Sequence, residues 1–295
     1  MEAMNSGSKV SILPIGESPA PTVEVAQRFS AKWLLLRRLS QLGILGLFLA
    51  GPWFGIWIIK GNLSSSLTLD VLPLTDPLLV LQSMAAGHLP YRDAIVGAAI
   101  VVGTYLLIGG RVFCSWVCPL NIVTDGAAAL RRKLGIKGGR SPATTTRYWL
   151  LLGLLAACLA TGSIAWEFVN PVSMLHRGLI FGIGAAWLVV VGIFTYDFLI
   201  ASRGWCGHLC PMGALYGLLG RTALLRVAAA KRAACNDCLD CFAICPEPQV
   251  IRPALKGSGT PLILDANCTN CGRCIDVCSL DVFRFANRLS HRFSS

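Results

Sequence analysis

Twelve of the thirteen cysteines fall into two spacing patterns, and the pattern nearer the C-terminus fixes what that end of the chain must wrap around. Residues 235–246 read CNDCLDCFAICP and residues 268–279 read CTNCGRCIDVCS, each a C-x2-C-x2-C-x3-C run. Three thiolates on one tight loop hold three irons of a cubane cluster, and the fourth of each run crosses to the other cluster. The spacing predicts one [4Fe–4S] centre at Cys235, Cys238, Cys241 and Cys278, and a second at Cys268, Cys271, Cys274 and Cys245. Zinc ribbons also use paired C-x2-C groups, but two complete runs in tandem disfavour zinc. Two such centres side by side imply electron transfer.

The chain is 54% hydrophobic and 14% charged, too apolar for an ordinary soluble protein of 295 residues. Four segments, 39–59, 94–110, 148–168 and 179–200, approach the roughly 20 helical residues that a bilayer core requires. Pro52 should kink the first. Residues 70–87 are apolar too, but Pro73, Pro77, Asp70 and Asp76 make them read as an interfacial or re-entrant helix. Lys32, Arg37 and Arg38 precede the first span. Arg111, Arg131, Arg132, Lys133, Lys137, Arg140 and Arg147 lie between the second and third. Arg203, Arg221, Arg226, Lys231 and Arg232 follow the fourth, whereas the opposite loops hold only Lys60, Arg92 and Arg177. This asymmetry predicts a multi-pass bacterial inner-membrane protein with both termini cytoplasmic. The net charge of +11 follows from that topology and from anionic clusters. No aromatic-interleaved basic element suggests nucleic acid.

Residues 1–30 are polar, contain Pro14, Pro19 and Pro21, and read as a disordered cytoplasmic arm without a cleavable signal. The membrane domain then covers 31–230, with 212–230 lying along the cytoplasmic surface as a helix, and a small α+β domain covers 231–295. Cys158, inside the third span, reads as a buried small hydrophobe.

Within the membrane domain there is a repeat. RVFCSWVCPL begins at Arg111 and RGWCGHLCPM at Arg203, both R-x2-C-x3-C-P. Upstream of each stands a short apolar stretch opening on Asp76-Pro77 or Asn170-Pro171. Parallel repeats of this kind are related by an axis along the membrane normal, which would bring Cys114, Cys118, Cys206 and Cys210 together. Four thiolates are enough for a third cluster or another metal. They also suit redox or docking thiols, or two helix-end turns with small buried residues. His208 either supports a ligand there or faces water.

Several stretches resemble the NapH-type membrane ferredoxins of periplasmic nitrate reductase systems. These are GPWFGIWI at 51–58, SSSLTLDVLPLTDPL at 64–78, GHLP at 87–90, CSWVCPLN at 114–121 and WCGHLCPMGALYG at 205–217. The resemblance covers everything after the N-terminal arm, and a membrane ferredoxin of methylamine utilisation is similar. Cys278-Ser279 departs from the common ferredoxin Cys-Pro but leaves the ligand set intact. The implied fold is a membrane α-helical four-span bundle with an internal two-fold repeat, followed by a bacterial-type 2[4Fe–4S] ferredoxin domain.

The resemblance implies a quinol dehydrogenase component. It would pass electrons through a periplasmic ferredoxin partner of the NapG type, and through or beside a tetrahaem cytochrome, toward the periplasmic nitrate reductase. Quinol oxidation needs an apolar slot and polar groups that take protons. The candidates on the outer side are Asp76, Gln82, His88 and Glu167, each with a simpler role as cap, helix end or loop residue. Trp53, Trp57 and Trp166 read as interfacial belt residues. Haem would need opposed histidines, and His88, His176, His208 and His291 lie outside the predicted spans. Two other classes remain open: a maturation factor that reduces a metal or thiol on its client, and an anchor with structural clusters. Phosphate-binding and dinucleotide fingerprints are absent from the sequence.

Overall fold

The computed structural model describes residues 30–136, 139, 141–182 and 184–289, and the predicted N-terminal arm lies outside them up to residue 29. The helices fall into two matching series. The first runs α1 (Lys32–Phe54), α2 (Pro77–Ala85), α3 (Arg92–Ile108), a π-helical turn (Phe113–Val117) and α4 (Leu120–Lys133). The second runs α5 (Thr146–Thr161), α6 (Pro171–Phe181), α7 (Ala185–Leu199), a π-helical turn (Trp205–Leu209) and α8 (Pro211–Leu219). Only the first carries an insert, an antiparallel meander of β1 (Ile59–Gly61), β2 (Ser65–Thr68) and β3 (Leu72–Thr75). Packing between the series is reciprocal. Helix α4 lies on α7 and α8 on α3, while α2 lies on α5 and α6 on α1; α1 abuts the first π turn and α5 the second.

Proline sets the breaks. Pro77 and Pro171 occupy first-turn positions where the missing N–H costs nothing. The Asp76 carboxylate accepts from Leu78 N at 3.1 Å and the Asn170 side chain from Val172 N at 3.1 Å. Such caps contribute about 1 kcal/mol each. Pro119 and Pro211 force the preceding cysteines out of the helical region, with ψ of 117° at Cys118 and 115° at Cys210. The amides of Cys118 and Cys210 reach back five residues, to Phe113 O and Trp205 O, both at 2.9 Å. Each C-x3-C-P motif is therefore a single π turn.

Several expectations change. The segment predicted as one span over 179–200 is broken at Gly182, whose φ of 86° favours glycine, so its start belongs to α6. Pro52 stands in the last turn of α1, which stops at Phe54 before a left-handed Gly55. The stretch from 212 to 230 is not one surface helix. Helix α8 is buried against α3 and α5 because glycines admit close approach: a Cβ on Gly110 would stand 1.7 Å from Tyr216 O. Among the described residues, α1 alone is long and apolar enough to cross a membrane, with shorter apolar helices at Thr146–Thr161 and Ala186–Leu199.

After α8 the chain becomes β4 (Leu225–Ala229), which pairs antiparallel with β5 (Phe283–Asn287), so this sheet takes in residues ahead of Lys231. Between them lie α9 (Asp240–Ile244), α10 (Ile251–Lys256) and α11 (Arg273–Val277). Val227, Val250, Ile251, Ile263, Val282 and Phe283 form a small core. This unit is fastened to the bundle. Asp276 caps α1 by accepting from Trp33 N at 3.1 Å and Leu34 N at 3.0 Å, and Asn270 Nδ2 donates to Ile108 O at 3.1 Å.

Candidate thiol centres and an adjoining cavity

The two four-cysteine runs form loops with the same backbone course. Asp237 and Leu239 are left-handed in one, and Asn270 and Gly272 at the matching positions in the other. The loops surround two hollows. Cys235, Cys238, Cys241 and Cys278 line the first, with Phe242, Leu255 and Phe283; Cys245, Cys268, Cys271 and Cys274 line the second, with Val227, Val250 and Ile263. All these thiols are free. Among the described residues no three His, Cys, Asp or Glu side chains converge on a single-ion site. Thiols ringed around an apolar hollow, instead of meeting at a point, fit a polynuclear cluster better than one zinc ion. Burial pushes Cys241 and Cys268 up to about 11. Cys271 goes the other way: burial raises it, but Arg273 and Arg37 outweigh that and leave it lowered.

Cys114, Cys118, Cys206 and Cys210 are brought together by the two π turns, each within the electrostatic reach of others in the set. Burial pushes Cys210 up to about 12 and raises the other three, while Arg111 opposes the rise at Cys114. Two guanidinium groups face the set. Arg111 Nη2 donates to Cys206 O at 2.9 Å and Arg147 Nη1 to Gly207 O at 3.0 Å. Both pair with Glu247, at 2.8 and 3.6 Å, and all three side chains are buried. Arg111 also donates to Asn267 O at 3.0 Å, beside Cys268. Ser115 Oγ donates to Thr269 O at 2.7 Å and Trp116 Nε1 to Asn270 O at 3.1 Å. The first π turn is thus bolted to the loop that carries Cys268 and Cys271. His208 stands in the second π turn, and its Nδ1 has no partner among the described residues.

On the other side of the first π turn lies a cavity of about 260 Å³. Phe48, Leu74, Val101, Tyr105, Phe113 and Val117 supply its apolar wall, and Ser66, Thr68, Thr75, Asp76 and Tyr216 its polar groups. Tyr216 stacks on Phe113 at 5.0 Å and meets Tyr105 edge-on at 5.1 Å. Its hydroxyl donates to Asp76 Oδ1 at 3.1 Å, while Oδ2 has no hydrogen-bond partner among the described residues. Burial raises the Asp76 carboxyl from 3.8 to about 6, against the opposing hydrogen bonds from Leu78 N and Tyr216. The cavity and the four thiols share a wall, since Phe113 and Val117 flank the Cys114 turn.

Of the four carboxylate, amide and imidazole candidates, only Asp76 lines this cavity. Glu167 is behind it in a polar knot, accepting from Ser64 Oγ at 3.0 Å, Asn170 Nδ2 at 2.9 Å and Ser173 Oγ at 2.9 Å. Gln82 is buried and structural, accepting from Trp166 N at 2.9 Å and donating to Leu78 O at 3.2 Å; Cys158 packs against it. His88 sits on an exposed loop beside Gly162 O at 3.1 Å. Trp166 is buried, not a belt residue. Sequence reading missed Tyr105, Tyr216 and Thr75. Tyr216 stands in the stretch WCGHLCPMGALYG, but nothing there says that it folds back toward Asp76, 140 positions earlier.

Cubane-type thiol loops on a two-stranded α+β unit define an iron–sulfur electron-transfer protein of the ferredoxin kind. The 4Fe–4S dicluster domain model matches residues 234–282, and the 4Fe–4S binding domain model matches 93–137 and 183–231, the segments that carry the two C-x3-C-P turns. The chain is 55% identical to the methylamine utilization ferredoxin-type protein MauN of Methylorubrum extorquens, over 87% of this chain and 90% of the relative. It is 51% identical to the ferredoxin-type protein NapH of Haemophilus influenzae, over 89% and 92%. For NapH of Escherichia coli the identity is 49%, over 88% and 91%. The chain belongs to this NapH and MauN family of ferredoxin-type proteins. No solved structure matches it.

Proposed function

We propose that the chain is a membrane quinol dehydrogenase component that binds quinol in the cavity at Asp76. The carrying observation is that an apolar cavity, with one carboxylate oxygen that has no partner among the described residues, shares a wall with four clustered thiols. Quinol oxidation releases two electrons and two protons. Asp76 accepts one proton when ionised, Tyr216 holds the carboxylate in place, and the second proton leaves after the first has been passed to water. The clusters held by the eight ferredoxin cysteines, with a third held by Cys114, Cys118, Cys206 and Cys210, would supply one-electron carriage away from the cavity. The clustering of those four thiols, Cys118 buried and the other three half-buried, favours a relay over thiol exchange with a client protein.

Membrane placement is part of the same proposal. Helices α1, α3, α5 and α7 are the four crossings, with α2 and α6 as half-helices whose capped N-termini end inside. Large apolar side chains stand exposed on the outer faces of α5 and α7, among them Trp149, Leu152, Leu159 and Leu188, as lipid contact requires. The domains are then the arm 1–30, the membrane domain from 31 to the end of α8, and a ferredoxin domain that begins at β4 and not at Lys231, with both termini cytoplasmic. By resemblance, the acceptors are a periplasmic ferredoxin of the NapG type and, with a tetrahaem cytochrome, the periplasmic nitrate reductase.

Low-temperature EPR of anaerobically purified, oxidised protein, with iron counted in parallel, tests the proposal. Reduced [4Fe–4S] signals after addition of a quinol analogue are expected, with iron beyond two cubanes. Intact clusters that stay silent with quinol, in the presence of the ferredoxin partner, would overturn it.

A further inference from the structure

Where α1, α4 and α11 meet there is a second cavity, of about 510 Å³, that the quinol proposal does not use. Arg37, Arg38, Arg132, Arg203 and Arg273 line it, against only two carboxylates, Asp125 and Asp276. Asp276 is spent on the α1 cap, with both oxygens accepting backbone N–H groups. Asp125 is shared: Arg37 reaches it at 3.8 Å and Arg203 at 3.5 Å, and Arg38 and Arg273 bond it directly. That leaves buried donors over. Arg37 is 1% exposed, yet its Nε and Nη1 hydrogen-bond to nothing among the described residues, nor do Arg203 Nε and Arg273 Nη1.

Unsatisfied buried guanidinium groups are costly, so the site is incomplete without an anion. The Cys271 sulfur answers part of the excess, because Arg37, Arg203 and Arg273 lie in its field. It does not answer the rim, where Arg38 is partly open to solvent and Arg132 is exposed. The rest of the lining is aliphatic: Leu34, Leu35, Ile122, Ala129, Ile244 and Val277. Leu34 and Leu35 stand exposed at the start of α1, the helix long enough to cross a membrane. A planar guanidinium fork matches phosphate oxygens, and an aliphatic strip beside it matches an acyl chain. No aromatic side chain lines the cavity for a base to stack on.

We propose that this cavity binds one anionic phospholipid, its phosphate on the arginines and a chain running inward along the face of α1 that Leu35, Leu39 and Leu42 leave exposed. The inference rests on the membrane placement given above. The lipid clamps α1 and α4 to α11, and so holds the ferredoxin unit on the bundle.

The test uses the cluster-loaded full chain in detergent, titrated with phosphatidylglycerol, phosphatidylcholine or inorganic phosphate and followed by native mass spectrometry and thermal shift. Saturable phosphatidylglycerol binding, at least tenfold tighter than phosphatidylcholine, is expected on the scale of a bidentate charged contact. The change Arg132→Gln, at an exposed position, should weaken phosphatidylglycerol alone, by about tenfold. Arg38→Glu with Arg132→Glu should abolish the preference at unchanged iron content. Equal affinity for the two lipids, or inorganic phosphate binding as tightly as phosphatidylglycerol, would overturn the proposal. Recovery of the chain in the soluble fraction without detergent would instead sink the membrane placement, whatever the lipid titration gives.

Discussion

Asp76 caps α2 through Leu78 N and faces the cavity with its other oxygen, so a useful substitution must keep the first task while removing the second. Asn170 shows how, because an asparagine performs the same cap at the equivalent position of α6. Asp76→Asn should therefore leave α2 in place while lowering quinol-driven cluster reduction by about 100-fold, within the range that general acid–base groups supply. In the unsubstituted chain the rate should rise with pH through about 6, where the carboxyl ionises and becomes able to accept a proton. Stopped-flow reduction at pH 5 to 8, on roughly the scale of that titration, should show this limb only with Asp76 present. Stability has its own sign. The folded state holds the proton more tightly than the unfolded chain does, so stability from this group is full below the unfolded value of 3.8 and is lost as pH rises to about 6. Asp76→Asn should flatten that decline in thermal melts. Tyr216→Phe removes the donor that favours the carboxylate, which should move the limb to higher pH and cost about tenfold in rate. Glu247 is the opposite case, a buried anion holding two buried cations, Arg111 and Arg147. Glu247→Gln should lower stability by about 3 kcal/mol or more, read by denaturation, because it strands both guanidinium groups.

At the scale of elements, the breaks written in proline were legible and those written in packing were not. Asp-Pro, Asn-Pro and Cys-Pro act locally, through a missing N–H and a restricted preceding residue, so a sequence displays them directly. The thiol loops are local in the same sense: Cys235, Cys238, Cys241 and Cys278 line one hollow, and Cys245, Cys268, Cys271 and Cys274 line the other. The three-strand insert, the Gly182 break and the burial of α8 depend on neighbours far along the chain. So does the partnership of Asp76 with Tyr216. Gly97 illustrates such a neighbour. A Cβ there would come to 2.9 Å from Thr75 N and 3.0 Å from its Oγ1, where β3 leads into Asp76. Gly97→Val should push β3 off α3, cost about 1–3 kcal/mol by overpacking, and slow quinol-driven reduction without changing iron content. The π turns make a separate prediction. Replacing Pro119 and Pro211 by alanine frees Cys118 and Cys210 to adopt helical geometry. Iron should fall to that of two cubanes, with the spectrum of the ferredoxin unit preserved.

For the whole molecule, the reciprocal packing of the two helix series supports the four crossings proposed above. Helix α4 meets α7 as α8 meets α3, the pairing expected of two parallel halves, and the two C-x3-C-P turns stand together. The ferredoxin unit is docked at the end where they stand, through Ser115, Trp116, Arg111 and Asp125. A parallel pair of two-crossing halves returns the chain to the side on which it entered. The arginines at that end, Arg37 and Arg38 in the first turns of α1 and Arg203 and Arg273 at Asp125, are what places it on the cytoplasmic face in the proposed topology. The proposed topology would give a cavity reached from within the bundle, thiol centres on the inner side and acceptors on the outer side. Reporter fusions decide it. A fluorescent protein that matures only inside should report at the C-terminus, and alkaline phosphatase, active only outside, should report at the loop bearing His88. The reverse pattern would place the ferredoxin unit outside, next to its proposed acceptors. It would also oblige the arginine cavity to take its lipid from the outer leaflet, so that the topology and the lipid test would have to be answered together.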